Sequence, residues 1–155
     1  GLRVSELVEL KFSDLFYDEG FVRVIGKGNK ERLVPLSKSV EREIQKYVEK
    51  TRSTLKIKVG NENFIFLNRR GSKLTRVMIF LIIKDLARKI DLKKKISPHT
   101  FRHSFATHLI EGGANLRAIQ EMLGHESIIT TEIYTHLDQR FLKDAILSFH
   151  PRNAS

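Results

Sequence analysis

The spacing of hydrophobic residues changes within the first part of the chain. Val4, Leu7 and Val8 recur at helical spacing, which predicts the end of a helix that begins upstream of residue 1. Three short apolar stretches follow at 15–17, 21–25 and 32–36, separated by turns rich in glycine, aspartate and asparagine. Apolar runs bounded by such turns are typical of strands. The pattern therefore predicts a small three-stranded antiparallel meander.

Helical spacing dominates the rest of the chain. Ser37, Thr75 and Ser97 are suited to cap the N-termini of helices near 38–50, 76–90 and 98–111. A short strand is predicted at 64–67, and further helices are predicted at 116–123, at 128–134 and near 141–146. These elements indicate an α+β fold that is mainly α-helical, with a small three-stranded antiparallel sheet, in one domain spanning 1–155.

Charge and composition narrow the class of protein. Lysine and arginine number 28 against 18 acidic residues, a net charge of +10, while 41% of the chain is hydrophobic. This indicates a folded protein with a polyanionic partner. The absence of cysteine excludes disulfides and thiolate chemistry and fits a cytoplasmic location. The longest apolar run, Val77–Ile83, is far below the roughly 20 residues of a membrane span, so we expect no membrane association.

Several residues suit phosphate chemistry, but each has an ordinary alternative. His99 and Arg102 share one helix face, which is also what a solvated basic helix would show. His99 and His103 are four apart, yet Thr100 stands where a zinc-protease helix needs glutamate, which argues against a metal site.

The other candidates are equally ambiguous when taken alone. His125 follows Gly124 and fits a helix C-terminal cap, and Tyr134 fits a half-buried core tyrosine with its hydroxyl hydrogen-bonded. Lys27 lies on a glycine-rich turn and Arg3 on a predicted helix, where each is also consistent with an ordinary surface charge.

Longer motifs change this picture. The stretches GLRVSEL at 1–7, GKGNKER at 26–32, HTFRHSFATHL at 99–109, LRAIQEMLGH at 116–125 and SIITTEIYTH at 127–136 closely resemble the tyrosine recombinase (phage integrase) family, nearest its Xer-type site-specific recombinases. The motifs occur in the family's order and span essentially the whole chain. One departure is Phe101, where leucine is usual. The resemblance implies the catalytic-domain fold of that family, N-terminally truncated, without the N-terminal core-binding domain.

The resemblance also implies site residues. Carried over by position, the catalytic residues are Arg3, Lys27, His99, Arg102, His125 and Tyr134, with Glu6 as a supporting acid and Lys30 as a DNA contact. Their basic character adds Arg32, Arg69 and Arg70 as further expected DNA-binding residues.

The implied activity is site-specific recombination of double-stranded DNA through a covalent 3′-phosphotyrosine on Tyr134, without a metal or other cofactor, for chromosome dimer resolution. Expected partners are a recombination site, a second recombinase subunit (self or paralogue) in a synaptic tetramer, and a DNA translocase, with a nucleoid-associated location. A helix within 141–155 is expected to dock in a neighbouring subunit or on its own domain. The alternatives are a phage or mobile-element integrase and a DNA-binding module of the same fold that does not cleave.

Overall fold

The predicted meander is present in the computed structural model, which describes residues 1–124. Its strands are β1 (Leu15–Phe16), β2 (Phe21–Ile25) and β3 (Glu31–Pro35), which are antiparallel and lie in the order β1-β2-β3. Val24 of β2 faces Arg32 of β3 in this register. The turn between β2 and β3 is closed by a hydrogen bond from the Gly26 amide to the Lys30 carbonyl, at 2.8 Å. The sheet thus holds the Lys27 turn at one end.

Helices are the commonest regular structure in the described chain. They are α1 (Val4–Val8), α2 (Lys38–Lys50), α3 (Arg76–Lys89), α4 (Pro98–Glu111) and α5 (Leu116–Leu123). Single 3₁₀ turns occur at Phe12–Asp14, Lys27–Asn29 and Arg52–Thr54. The predicted fold class, mainly α-helical with a small antiparallel sheet, is therefore confirmed. None of the helices in residues 1–124 is long and apolar enough to cross a membrane.

The predicted caps explain where these helices begin and end. The Ser37 hydroxyl accepts a hydrogen bond from the Val40 amide, and the Thr75 hydroxyl accepts one from Met78. At the C-terminal end of α5, Gly124 adopts a left-handed conformation with φ of 67°. A residue in this conformation is a common helix stop and is most often glycine.

Two predictions of secondary structure are wrong, namely the start of the first helix and the strand at 64–67. The first helix begins at Val4 and not upstream of residue 1, because Arg3 is extended and its amide donates to the Glu6 carboxylate at 2.8 Å. No strand forms at 64–67, where only isolated bridges occur. The Ile65 amide there bonds to the Leu10 carbonyl and the Leu67 amide to the Tyr47 hydroxyl, so no continuous ladder results. The helices predicted at 128–134 and near 141–146 lie outside the described residues.

Buried side chains form two clusters. One lies between the sheet and α2 and consists of Leu10, Val22, Val24, Val34, Leu36, Ile44 and Ile65. The other joins α4 to α5 and consists of Leu109, Ala114, Ala118, Ile119, Met122 and Leu123. Burial of such side chains is the main stabilising contribution to a domain of this size. Contacts between α5 and β3 connect the two parts.

Candidate active site

Arg3 lies at the N-terminal end of α1, where its guanidinium bridges two parts of the chain. Nη1 donates to Oε1 of Glu6 at 3.2 Å, and Nη2 donates to the carbonyl of Gly124 at 3.3 Å. The side chain is still 37% exposed. Arg3 is therefore fixed by two partners and retains a face toward solvent.

Glu6 is the buried acid of the cluster. Arg32 binds it in a bidentate manner, with Nη1 to Oε1 at 2.7 Å and Nη2 to Oε2 at 2.8 Å. Burial raises the pKa of the Glu6 carboxyl, but the hydrogen bonds from Arg32 and Arg3 outweigh this effect and hold the pKa below its usual value. Glu6 is thus ionised at neutral pH. The resemblance to the recombinase family predicted a supporting acid at this residue.

Arg102 is buried on α4 instead of lying on a solvated helix face. Its Nη1 donates to the Gly1 carbonyl at 2.9 Å and its Nη2 to the Leu123 carbonyl at 2.6 Å. Burial, together with the nearby charge of Arg3, lowers the pKa of Arg102 to about 10. The guanidinium remains protonated at neutral pH and is locked in one orientation.

The C-terminal end of α5 receives all three guanidiniums. The successive carbonyls of Met122, Leu123 and Gly124 accept from Arg32, Arg102 and Arg3 respectively. Carbonyls in the last turn of a helix have no partner within the helix and carry the negative end of its dipole. Three cations from separate parts of the sequence are therefore assembled on one helix terminus.

Arg3 and Arg102 border a cleft of about 580 Å³, whereas Arg32 does not line it. The side chains that line it include three of the expected catalytic residues, and the full set is Arg3, Val4, Ser5, Arg76, Val77, Phe80, His99 and Arg102. His99 is exposed on α4. The cluster contains three guanidiniums, those of Arg3, Arg32 and Arg102, and one carboxylate, that of Glu6, which binds the first two. Its net charge is therefore positive. A concave site of this charge and geometry suits a phosphate group.

The other expected catalytic residues are placed differently. Lys27 is exposed on the turn between β2 and β3 and is not among the residues that line the cleft. Lys30 is exposed at the end of the same turn. His125 and Tyr134 lie outside the described residues, although His125 follows Gly124 directly in the sequence.

Arg32, one of the expected DNA-binding residues, is turned toward the protein interior. Its side chain is only 13% exposed, and its guanidinium binds Glu6 and the Met122 carbonyl. The phosphate contact predicted from its basic character is therefore not supported by this geometry. Composition and spacing reveal that a residue is basic, but they do not reveal whether a buried carboxylate has turned it inward.

Arg69 and Arg70 lie apart from the cleft. Both border a second groove with Asn68 and with a face of α3 that includes Met78 and Asp85, whereas the cleft uses a different face of α3. Both arginines are exposed. The two grooves have no lining residue in common, so α3 separates these arginines from the candidate site.

Sequence reasoning missed Arg76 among the cleft residues. It is the first residue of α3, directly after the Thr75 cap, and it lies in the cleft beside Phe80. Nothing in its local sequence distinguishes it from the other arginines of this chain. Only the packing of α3 against α1 and α4 brings it to the site.

Comparison with known proteins identifies the family. The sequence profile of the phage integrase family matches residues 1–140. The chain belongs to the phage integrase family. Curated family members at about half identity are named tyrosine recombinase XerD, for example from Listeria monocytogenes (50% identical) and Chlorobaculum tepidum (51% identical), each over 98% of this chain. The aligned region is 51% and 50% of those two proteins, so the chain spans about half the length of the curated family members it matches.

Solved structures of family members have the same fold. The crystal structure of XerA recombinase is 35% identical, covers 97% of this chain and 53% of its own, and superposes with a TM-score of 0.72. The pre-cleavage complex of XerH site-specific recombinase with its difH substrate is 31% identical, covers 88% of this chain and 39% of its own, and has a TM-score of 0.70. These similarities confirm the expected membership and the catalytic-domain fold.

Proposed function

We propose that this chain is the strand-cleaving domain of a site-specific DNA recombinase, as expected from its motifs. The observation that carries the proposal is the cleft in which Arg3, His99 and Arg102 meet, although Arg3 is separated from the other two by almost the whole described chain. The net charge of +10 supports a nucleic acid partner. Among the structural neighbours, XerH is bound to difH substrate and the Tn1549 transposon integrase is in complex with circular intermediate DNA.

Two of the three arginines that line the cleft supply the electrostatic part of the reaction. In-line attack on a phosphodiester places negative charge on the nonbridging oxygens, and guanidiniums can bind two such oxygens at fixed geometry. Arg3 and Arg102 are assigned this role, with His99 as an additional donor. Preorganised donors of this kind contribute on the order of 10²–10³ in rate each.

Tyr134 is assigned as the nucleophile and Lys27 as the general acid. The tyrosine hydroxyl, with an ordinary pKa near 10, loses its proton to a basic group of the site as its oxygen attacks phosphorus. The bond from phosphorus to the 5′ oxygen breaks, and the Lys27 ammonium protonates that oxygen to give a 5′ hydroxyl. The 3′ phosphate is then held on Tyr134. Attack by a 5′ hydroxyl of a partner strand reverses these steps and completes strand exchange.

The biological process we assign is chromosome dimer resolution. It is supported by the curated family members named XerD at 45–51% identity. Among the solved structures, XerA and XerH are 35% and 31% identical, and the integrase of mycobacterium phage Brujita is 28% identical. The partners that follow are a second recombinase subunit in a synaptic tetramer and a DNA translocase that controls activation, and the location is the cytoplasmic nucleoid. The segment 141–155 is assigned to contacts between subunits.

Covalent trapping tests the chemistry. The full-length protein is incubated with nicked suicide duplexes that carry difH-like, phage or transposon recombination sites, and denaturant-resistant protein–DNA adducts are measured. We expect an adduct that forms in the presence of a chelator and is lost in Tyr134→Phe. DNA binding without an adduct on any site would favour the non-cleaving DNA-binding module, and a productive phage or transposon site would favour the integrase.

A further inference from the structure

We propose that Arg32 is a positioning residue that holds the Lys27 turn and the C-terminal end of α5 in register with Arg3. The inference rests on the proposed function, because it concerns the placement of that site's catalytic residues. It assigns to Arg32 a role other than the DNA contact expected from its charge. Three sets of contacts carry the argument.

The first contact is with the turn that carries Lys27. A Cβ added at Gly26 would lie 3.3 Å from Oε1 of Glu6 and 3.5 Å from Nη1 of Arg32. The backbone at Gly26 therefore packs directly against the ion pair. Lys27 is the next residue along the chain, so the position of the pair determines where the turn begins.

The second contact is with the end of α5. Arg32 Nε donates to the Met122 carbonyl at 2.9 Å, and a Cβ added at Gly124 would lie 2.9–3.0 Å from three atoms of the Arg32 guanidinium group. Glycine at 124 thus provides the space that the guanidinium occupies. His125, a second catalytic candidate, follows Gly124 directly in the sequence. Arg32 therefore packs against the residue just before His125.

The third contact is with Arg3 through Glu6. The Glu6 carboxylate accepts from both Arg32 and the Arg3 guanidinium, and its Oε2 also accepts from the Arg3 amide. Arg32 is therefore adjacent to the segments of three expected catalytic residues without lining the cleft itself. This is the geometry of a residue that acts through others.

The contacts require an arginine and not merely a cation. The guanidinium uses Nη1 and Nη2 for the two carboxylate oxygens and Nε for the Met122 carbonyl. Its planar group holds these donors at fixed angles to one another. A lysine at this position would keep the charge but could not make the three hydrogen bonds at these positions. Arg32→Lys is therefore the informative substitution.

The test compares two DNA substrates in single-turnover cleavage by the full-length protein. One carries the normal 5′ oxygen at the scissile phosphate and the other a bridging 5′ sulfur, which leaves as a thiolate without needing a general acid. We expect Arg32→Lys to lower the cleavage rate of the oxygen substrate by about 10²-fold, because misplacement of a catalytic group by about 1 Å can cost that much. On the sulfur substrate the loss should be at least about tenfold smaller, because the acid step is bypassed.

Matched variants separate this inference from the proposed function. Lys27→Ala should lose cleavage of the oxygen substrate and recover on sulfur. If it does not recover, the general acid assigned above is wrong. Arg23→Lys is the control for Arg32, since Arg23 lies on the neighbouring strand and pairs with Asp14 away from the cleft. It should leave both rates close to wild type.

The inference on Arg32 has its own failing outcomes. With Lys27→Ala rescued by sulfur, equal losses of Arg32→Lys on both substrates, or no loss on either, would overturn it. Rates are measured well below the thermal unfolding midpoint of each variant. If Arg32→Lys does not fold, Gly26→Ala provides the same test, because it keeps Arg32 and crowds the Glu6–Arg32 pair. It should then show a smaller loss with the same preference for sulfur.

Discussion

Glu6 organises the site at the level of single residues. The carboxylate is nearly fully buried, and it is stable there because two arginines bind it with hydrogen bonds of 2.7–3.2 Å. A buried carboxylate without such partners would carry a large desolvation cost. The ion pairs therefore serve mainly to fix the positions of Arg3 and Arg32, and they stabilise the fold only as long as all members are present.

Glu6→Gln should destabilise the protein by about 2–3 kcal/mol at neutral pH, since it removes charge-assisted hydrogen bonds from a buried group. The pKa of Glu6 in the folded state lies below its ordinary value of 4.5. Its contribution to stability is therefore fully present above that value and is lost as the pH falls through the folded pKa. Urea unfolding of both proteins at neutral pH and at about pH 3 measures this, and the difference should shrink at the lower pH.

Glu43→Gln is the control for that measurement. Glu43 is exposed on α2 and pairs with Lys46, so the substitution should change the free energy of unfolding by less than about 0.5 kcal/mol. A difference between wild type and Glu6→Gln that stays constant over the whole pH range would mean that the ionisation of Glu6 is not coupled to folding.

The residues of the site could be predicted from the sequence, but the hydrogen-bond partners of these residues could not. The family motifs predicted Arg3, His99 and Arg102, and the structure places these three in one cleft. Arg32 belongs to the same motif as Lys27, yet the sequence contains no sign that it faces Glu6, 26 residues away. A contact over that distance depends on the packing of α1 against the β2–β3 hairpin, which local patterns do not encode.

The elements follow from local signals where those signals are complete. Ser37 and Thr75 each precede an apolar periodicity, and α2 and α3 begin directly after them. Residues 64–67 have the apolar composition of a strand, and Ile65 and Leu67 are buried. Their amides, however, donate to the Leu10 carbonyl and the Tyr47 hydroxyl, which belong to two different segments. Burial was thus predictable there, and strand pairing was not, because pairing depends on a neighbour that the sequence does not specify.

Gly124 at the end of α5 supports an element-scale prediction. Its φ of 67° disfavours any side chain, and a Cβ there would also lie within 3.0 Å of the Arg32 guanidinium. Gly124→Ala should therefore lower the free energy of unfolding by more than the roughly 1–2 kcal/mol of the backbone effect alone. It should also lower the yield of covalent adduct. Urea unfolding and the suicide-substrate assay measure the two effects.

Gly60 provides the matched comparison for Gly124. It has a φ of 86°, and a Cβ added there would meet no atom within 4 Å. Gly60→Ala should consequently show the backbone cost of about 1–2 kcal/mol and unchanged adduct formation. Equal effects of the two substitutions on stability and on cleavage would show that the space occupied by Arg32 is not what requires glycine at 124.

At the scale of the whole molecule, the positive charge is divided between two roles. Part of it is turned inward, where the Arg32 guanidinium binds the Glu6 carboxylate and the Met122 carbonyl. Another part is exposed on the β2–β3 turn and on the groove beyond α3 that Arg69 and Arg70 border. The total of 28 lysines and arginines therefore overstates the number of cations available to DNA phosphates.

The salt dependence of DNA binding measures this division. Each phosphate contact contributes about 0.9 to the slope of log affinity against log salt concentration, because it releases condensed counterions. In a Tyr134→Phe background that prevents cleavage, Lys30→Gln should therefore reduce the slope by about 0.9. Arg32→Gln removes the same charge two residues further along the hairpin and should leave the slope unchanged, since its side chain is largely buried.

The same measurement decides the role of the basic groove beyond α3. If Arg69 and Arg70 contact phosphates, as their charge led us to expect, the double change to glutamine reduces the slope by about 1.8. An unchanged slope would confine the DNA to the face of α3 that carries Arg76 and the cleft. A reduced slope for Arg32→Gln would show that its guanidinium reaches DNA, and the inward role given to it here would be wrong.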